Sequence, residues 1–366
     1  MKLALVRQRY NPYGGAERHI ERAVTALQRE GAEITLIARE WTGEGADKTR
    51  RVLEVNPFYI GRWWRDAGFA RAARAAWERG GFALVQSHER IPGASIYRAG
   101  DGVHRQWLAN RARHASSLER LSIALNPYHR YVCAAEKAMF EHAALRAVIC
   151  NSNMVRGEIL RHFAIAEDKL RVIYNGVDTE RFHPRARAAR SGADTVLVFV
   201  GSGFARKGLD TVLAAMARSH LRLKLLVVGA DRELRRYAAL AEALKIGEHV
   251  TFAGGVHDVR PHYAVADALV LPTLYDPFPN VVLEAMAMGL PAIVSDQCGA
   301  AELVKHGESG WIVSPQDVPA LAETLDGLED RPRLVRIGAA ARAAVEPYTI
   351  EAMAAQLLAL YRELLR

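Results

Sequence analysis

Tyr275-Asp-Pro-Phe-Pro-Asn-Val-Val-Leu-Glu-Ala-Met-Ala-Met-Gly-Leu-Pro291 is the stretch from which the fold is read. Pro279 suits a first helical residue because its ring fixes φ, and Gly289 suits a C-terminal cap, so the spacing predicts a short helix over 279–288. Between Val281 and Val294 the only charged residue is Glu284. A helix apolar on nearly every face is buried between layers, which points to a layered α/β domain. A buried carboxylate there is costly unless it has a partner. Helical side chains lean toward the N-terminus, so Glu284, one turn in, points back to the end where backbone N–H groups are unpaired. Asp276 lies just before that end. Amides for an anion beside two carboxylates for hydroxyls describe a site for a phosphate joined to a polyol, as in a nucleotide sugar. The plainer reading makes Glu284 a core residue paired with an Arg.

Around this stretch the second half of the chain alternates apolar strands, at 195–201, 224–229, 249–253, 268–272 and 292–295, with helical segments. That alternation predicts a parallel sheet. Gly201-Ser-Gly-Phe-Ala-Arg-Lys-Gly208 follows the first strand, and its flexible backbone would deliver Arg206 and Lys207 together to the top of the sheet. Two fixed cations there suit a diphosphate; an ordinary solvated basic loop is the alternative. Gly254-Gly-Val-His-Asp-Val259, with Val256 at its centre, offers backbone groups to a flat base.

The first half starts the same pattern. Strand 2–7, helix 16–30 and strand 34–38 open a doubly wound sheet, and Gly14-Gly15 at the first turn would let the backbone approach an anion. The strand at 83–87 ends in Ser87-His88-Glu89, where ligand residues of such sheets sit; His88 is read equally as structural or as a ligand. Asp101, between two glycines in Arg98-Ala-Gly-Asp-Gly-Val-His104, is free to project into a cleft or to serve a plain Asp-Gly turn. Residues 51–81 are rich in Arg and aromatics, some of which must be exposed. Residues 104–125 read as one amphipathic helix carrying Arg105, Trp107, Arg111, Arg113 and Arg120, suited to a membrane surface or to packing on its own domain. His183-Pro184 and the Arg-Ala repeats up to Gly192 read as a linker. The expected division is therefore 1–186, joined by a C-terminal helix at 347–366, and 187–346.

At 366 residues the chain exceeds one ordinary core. No apolar run approaches the ~20 residues that cross a bilayer, and none suits a signal peptide, so a cytoplasmic protein is expected. Cys133, Cys150 and Cys298 are too few and too scattered for a disulfide framework or a metal cage. The net charge of +8 is uneven: residues 1–186 carry 30 Lys and Arg against 20 Asp and Glu, leaving 19 against 21 for the remainder. A basic first half fits an anionic membrane or acidic substrate. No nucleic-acid motif is present, so nucleic acid is not an expected partner.

Gly14-Gly15, Asn175-Gly-Val-Asp178, Arg206-Lys-Gly208, Gly254-Gly255 with Asp258-Val259, the Asp276-to-Glu284 spacing and Gly289-Leu-Pro291 span nearly the whole chain. As a set they resemble glycosyltransferase family 4, retaining enzymes of the GT-B fold, in which two Rossmann-like α/β domains face each other across a cleft. The loops at 98–104 and 201–208 are most similar to the lipopolysaccharide core glucosyltransferases. The resemblance implies that Arg206 and Lys207 neutralise the donor diphosphate, Glu284 holds the ribose hydroxyls and Asp276 the donor-sugar hydroxyls. Gly14, Gly15, Val256, Asn280 and the amides around Val281 and Val282 would complete the donor site. His88 and Asp101 would orient sugar and acceptor, and a donor phosphate oxygen would take the acceptor proton. Asp276 stands where the family usually has Glu, which leaves the donor sugar less secure than the donor class. The implied partners are a nucleotide sugar, a lipid-linked or phosphorylated glycan acceptor such as the inner-core heptose, and the inner face of the cytoplasmic membrane. No cofactor and no metal are expected, since Asp-x-Asp occurs nowhere in the chain. A nucleotide-sugar 2-epimerase, a sugar-phosphate synthase, a transferase acting on another glycan and a non-catalytic carbohydrate-binding protein are the competing expectations.

Overall fold

The alternation of short apolar runs with helical segments builds two parallel sheets in the computed structural model, which describes residues 2–9, 25, 28–29, 31–40, 51–113, 115–184 and 194–366. Gly14, Gly15, most of the expected 16–30 helix and the Arg-Ala run up to Gly192 lie outside the described residues.

One compact unit comprises Met1–Tyr174 with Ile350–Arg366, the other Asn175–Thr349. The first holds strands β1 (Lys2–Val6), β2 (Glu33–Ala38), β3 (Arg51–Glu54), β4 (Leu84–Ser87), β5 (Ile96–Arg98), β6 (Ala147–Cys150) and β7 (Leu170–Val172) in the order β3-β2-β1-β4-β5-β6-β7. All of their pairings are parallel. Side chains alternate across a strand, so Leu3 and Leu5 enter one apolar layer and Ala4 and Val6 the other. The first layer is closed by Met353, Leu357, Leu358, Tyr361 and Leu364 from the helix Ile350–Leu365. The second is closed by Phe69, Ala73, Ala76 and Trp77 from the helix Arg62–Gly80.

The second unit holds β8 (Thr195–Val200), β9 (Leu223–Val228), β10 (Val250–Gly254), β11 (Ala268–Leu271), β12 (Ala292–Ser295) and β13 (Gly310–Val313), ordered β10-β9-β8-β11-β12-β13 and parallel throughout. β8, β11 and β12 are buried along their whole length, as parallel strands covered on both faces must be. In each sheet the order reverses beside its first strand, between β1 and β4 and between β8 and β11. Ligands of doubly wound sheets bind outside the strand C-termini at that reversal.

Three local expectations change. The boundary between units falls after Tyr174 rather than after residue 186. The reason is that Val177 N–H donates to Tyr348 C=O at 2.8 Å, while Arg342 Nη1 donates to the carbonyls of Thr179, Phe182 and Ala287. Those bonds hold 175–184 within the second unit. The helix of the opening stretch is Asn280–Ala287, with Pro279 outside it at ψ 117° and Gly289 left-handed at φ 74°. Residues 104–125 form two helices, His104–Arg113 and Ser117–Leu125. Ser116 restarts the second: its hydroxyl accepts from Glu119 N–H and Glu119 Oε2 accepts from Ser116 N–H at 2.8 Å, a reciprocal capping box.

Candidate functional site

The strands flanking the reversal in the second unit, β8 and β11, each deliver one side of a charged cluster. After β8 the chain turns at Gly201, whose φ is 133°, and a Cβ there would stand 2.5 Å from Lys207 Cε. The missing side chain makes room for the lysine to fold back over the strand end, where it is buried. Gly208 at φ 79° faces the Pro272 carbonyl, 2.3 Å from where its Cβ would be. Only glycine permits that approach, which presses the Arg206–Lys207 turn against the end of β11. Leu274 N–H and the Thr273 hydroxyl both donate to Arg206 C=O, at 2.8 and 2.9 Å. Backbone bonds therefore fix the position of both cations.

The residue they meet is Asp276. Its Oδ2 accepts from Arg206 Nη1 at 3.0 Å and from Lys207 Nζ at 3.1 Å, and Arg206 also donates to Tyr275 C=O. Asp276 is 8% exposed. Burial opposes its ionisation, but the charges of Lys207 and Arg206 prevail and hold the carboxyl below the usual carboxylate range. Bonds from Asp276 N–H to Gln297 C=O and from Gly299 N–H to Asp276 C=O lock its backbone. The cluster thus brings together three of the expected residues. It carries one net positive charge, and a bound diphosphate would engage the same two cations that now hold Asp276.

Glu284 sits one turn into Asn280–Ala287 but is half-buried, not enclosed as expected. Its lean toward the open N-terminal end keeps it in reach of solvent. The buried Tyr263 hydroxyl lies 3.3 Å from Glu284 Oε2 and 3.3 Å from Val281 C=O. Asn280 Oδ1 accepts from Asn175 Nδ2 at 2.6 Å, tying Asn175-Gly-Val-Asp178 to the helix start. Val282 N–H donates to Pro279 C=O at 3.1 Å, so a phosphate would share that amide. Val256 lies half-buried in the loop after β10. Next to it Asp258, with its carboxyl lowered to about 2 chiefly by its hydrogen bonds to Arg260, is committed to holding that arginine.

At the reversal in the first unit His88 is buried just past β4, its Nε2 3.1 Å from Gln86 Nε2. Asp101 is exposed on the turn after β5, 3.9 Å from Arg7 Nη1. Beside the Asp101 turn the buried Glu136 accepts from Nε of the half-buried Arg90 at 3.0 Å and from the backbone N–H groups of His104 and Arg105, while Arg90 Nη2 donates to Gly102 C=O. Glu136 therefore caps the helix His104–Arg113 from another helix, and the pair fixes the turn that presents Asp101. His104, lowered to about 3 by burial and then by Arg90 and His129, stays neutral there.

The family model for glycosyltransferase family 4 matches residues 13–181, and that for glycosyl transferases group 1 matches 181–344. The chain belongs to glycosyltransferase family 4. The glycosyltransferase is 27% identical to a probable transglycosylase of Burkholderia thailandensis over 91% of this chain and 89% of that one. It is 25% identical to the lipopolysaccharide glucosyltransferase WaaG of Escherichia coli over 86% and 85%. A solved structure of WaaG superposes with a TM-score of 0.85 at 22% identity, covering 98% and 99% of the two chains. The Anabaena protein HepE in complex with UDP-glucose superposes at 0.74 and 19% identity, covering 99% and 100%. These likenesses establish the expected GT-B fold.

Two residues of the glycosyltransferase escaped the sequence reading. Glu136 gives no local signal, since its partners lie 31 to 46 positions away. Asp231 lies three residues past the end of β9 and accepts from Gly203 N–H and Phe204 N–H, both at 2.9 Å, so it anchors the start of the Arg206–Lys207 turn. An acid two residues beyond Gly229, in the turn after a strand, was the available clue.

Proposed function

We propose that the protein is a retaining hexosyltransferase that moves glucose from UDP-glucose to a lipid-linked, phosphorylated glycan acceptor such as the inner-core heptose of lipopolysaccharide. The observation that carries this reading is the Arg206–Asp276–Lys207 cluster at the reversal of the second sheet. Its paired cations suit a diphosphate, and the carboxylate between them suits a sugar hydroxyl once the phosphates take the cations. Glu284 serves the ribose, Val256 lies by the base, and Gly14, Gly15, Asn280 and the Val281–Val282 amides complete the donor site. The relatives support the choice of sugar and acceptor: WaaG is a lipopolysaccharide glucosyltransferase and HepE is seen with UDP-glucose. Arg206 and Lys207 supply the charge a divalent ion would otherwise give, so no metal takes part. A donor phosphate oxygen takes the acceptor proton, with His88 and Asp101 orienting sugar and acceptor.

In the same proposal the protein works in the cytoplasm, with residues 51–79 and 104–130 resting on the anionic inner face of the cytoplasmic membrane. The helix Ser117–Leu125 has no buried residue and turns Leu118, Leu121 and Leu125 outward, Leu118 at 81% exposure. Arg105, Arg111, Arg113, Arg120 and Arg130 are exposed around it, as are Phe58, Trp63 and Trp64. Among the described residues no helix is long and apolar enough to cross a membrane, whereas each Arg beside an anionic surface contributes on the order of 1 kcal/mol of attraction. The test is a donor screen across UDP-, GDP- and ADP-hexoses, with and without excess EDTA. We expect hydrolysis and transfer with UDP-glucose, unchanged by the chelator and with the anomeric configuration kept. Preference for another nucleotide, activity lost to EDTA and restored by Mn²⁺, or an inverted product each overturns the corresponding part.

A further inference from the structure

The end of β4 is joined by a chain of hydrogen bonds to the last helix of the protein, and this chain bears on His88. The Tyr361 hydroxyl donates to Gln86 Oε1 at 2.6 Å, and Gln86 Nε2 lies 3.1 Å from His88 Nε2. All three side chains are buried, Tyr361 completely. A carboxamide presents a carbonyl on one side and an N–H on the other, so which way it faces is decided by its neighbours. Tyr361 decides here. With the amide reversed, two N–H hydrogens would face the phenol oxygen and the buried phenol hydrogen would have no acceptor among the described residues, a cost of the kind buried polar groups avoid. The carbonyl is thereby held toward Tyr361 and the N–H toward His88. An N–H donor aimed at Nε2 requires that nitrogen to be the acceptor, which places the ring proton on Nδ1.

We infer that Tyr361 and Gln86 are positioning residues that set the tautomer and orientation of His88 from the C-terminal helix. His88 then presents Nδ1–H as a hydrogen-bond donor, the form suited to a sugar hydroxyl or phosphate oxygen. The inference rests on the reading of His88 as a substrate-orienting residue, but the tautomer itself is independent of that reading and is measured separately.

The test combines long-range 1H–15N spectra of histidine-labelled protein, with the His88 signals assigned by their loss in His88→Gln, and steady-state transfer kinetics. In the wild type we expect pyrrole-type Nδ1 and pyridine-type Nε2. In Tyr361→Phe the amide is released, and His88 should show a mixture or the Nε2–H form, with kcat falling about tenfold, the worth of one hydrogen bond, at nearly constant donor KM. Gln86→Glu, which places an acceptor on both sides while keeping the shape, should drive His88 to Nε2–H even if Tyr361→Phe folds poorly. A wild-type Nε2–H tautomer, or an unchanged tautomer in both variants, overturns the inference. A changed tautomer with unchanged kcat leaves the hydrogen-bond chain standing and removes His88 from the transfer step.

Discussion

The two units handle buried charge in opposite ways. In the second, Arg206 and Lys207 share the single carboxylate of Asp276 at the end of the sheet, leaving one positive charge in excess, and Arg206 remains 39% exposed along its side chain. In the first, Glu136 is fully buried and spends its oxygens on backbone N–H groups as well as on Arg90, whose side chain is half as exposed as that of Arg206, at 19%. An open cluster can exchange one anion for another, because solvent and ligand reach it. Glu136 cannot, because it is buried with its oxygens already engaged, and removing it leaves Arg90 without its carboxylate. In this protein the cluster proposed to bind the donor keeps a cation in reach of solvent, whereas the carboxylate that caps a helix is fully buried.

The largest break in this comparison should come from Glu136→Ala, which strands Arg90 and uncaps the helix His104–Arg113. We expect the first unit to lose about 3–5 kcal/mol in chemical denaturation. Lys207→Ala should do the reverse, leaving the fold nearly intact while transfer falls about 10²- to 10³-fold in kcat. An equal loss of stability in that variant would show the cluster to be scaffolding after all. Asp276→Ala belongs with it and should lower turnover, whereas Glu284→Ala should weaken binding of the bare nucleoside diphosphate by about tenfold, as expected for a hydrogen bond to a ribose that does not change in the reaction. Isothermal titration separates the two. The smallest effect on the folded protein is expected from Leu118→Ser with Leu121→Ser: these side chains touch little, so stability stays within about 0.5 kcal/mol. Co-sedimentation with phosphatidylglycerol vesicles should nonetheless drop, and unchanged binding would exclude this helix as the contact.

What the sequence revealed follows the same division. The strands of the second unit are runs such as Thr-Val-Leu-Val-Phe-Val, buried on both faces, and such runs carry their meaning locally. The Pro279-to-Gly289 bracket and the Gly201–Gly208 turn are equally local, so the cations and both carboxylates were legible as candidates. The edge strand Arg51–Glu54 was not, because its residues are mostly exposed and show no apolar run. The break at Ser116 was missed although Ser116 and Glu119 spell a capping box, since the apolar spacing from Leu108 to Leu125 continues across it. Glu136, Asp231 and the contact from Tyr361 to Gln86 depend on partners 27 to 275 positions away. No local pattern encodes such contacts, and that the Arg206–Lys207 pair would face Asp276 rather than open solvent emerged only with the strand order.

The helix Ile350–Leu365 also governs the sequence of events during synthesis. Domains generally fold as they emerge, N-terminal first. Here the continuous segment Asn175–Thr349 is complete before the ribosome has made the residues that cover Leu3, Leu5 and Ile34. The unit that begins the chain is therefore the last to close, and until its final helix arrives one face of its sheet waits, apolar and uncovered, for chaperones or for its own C-terminus.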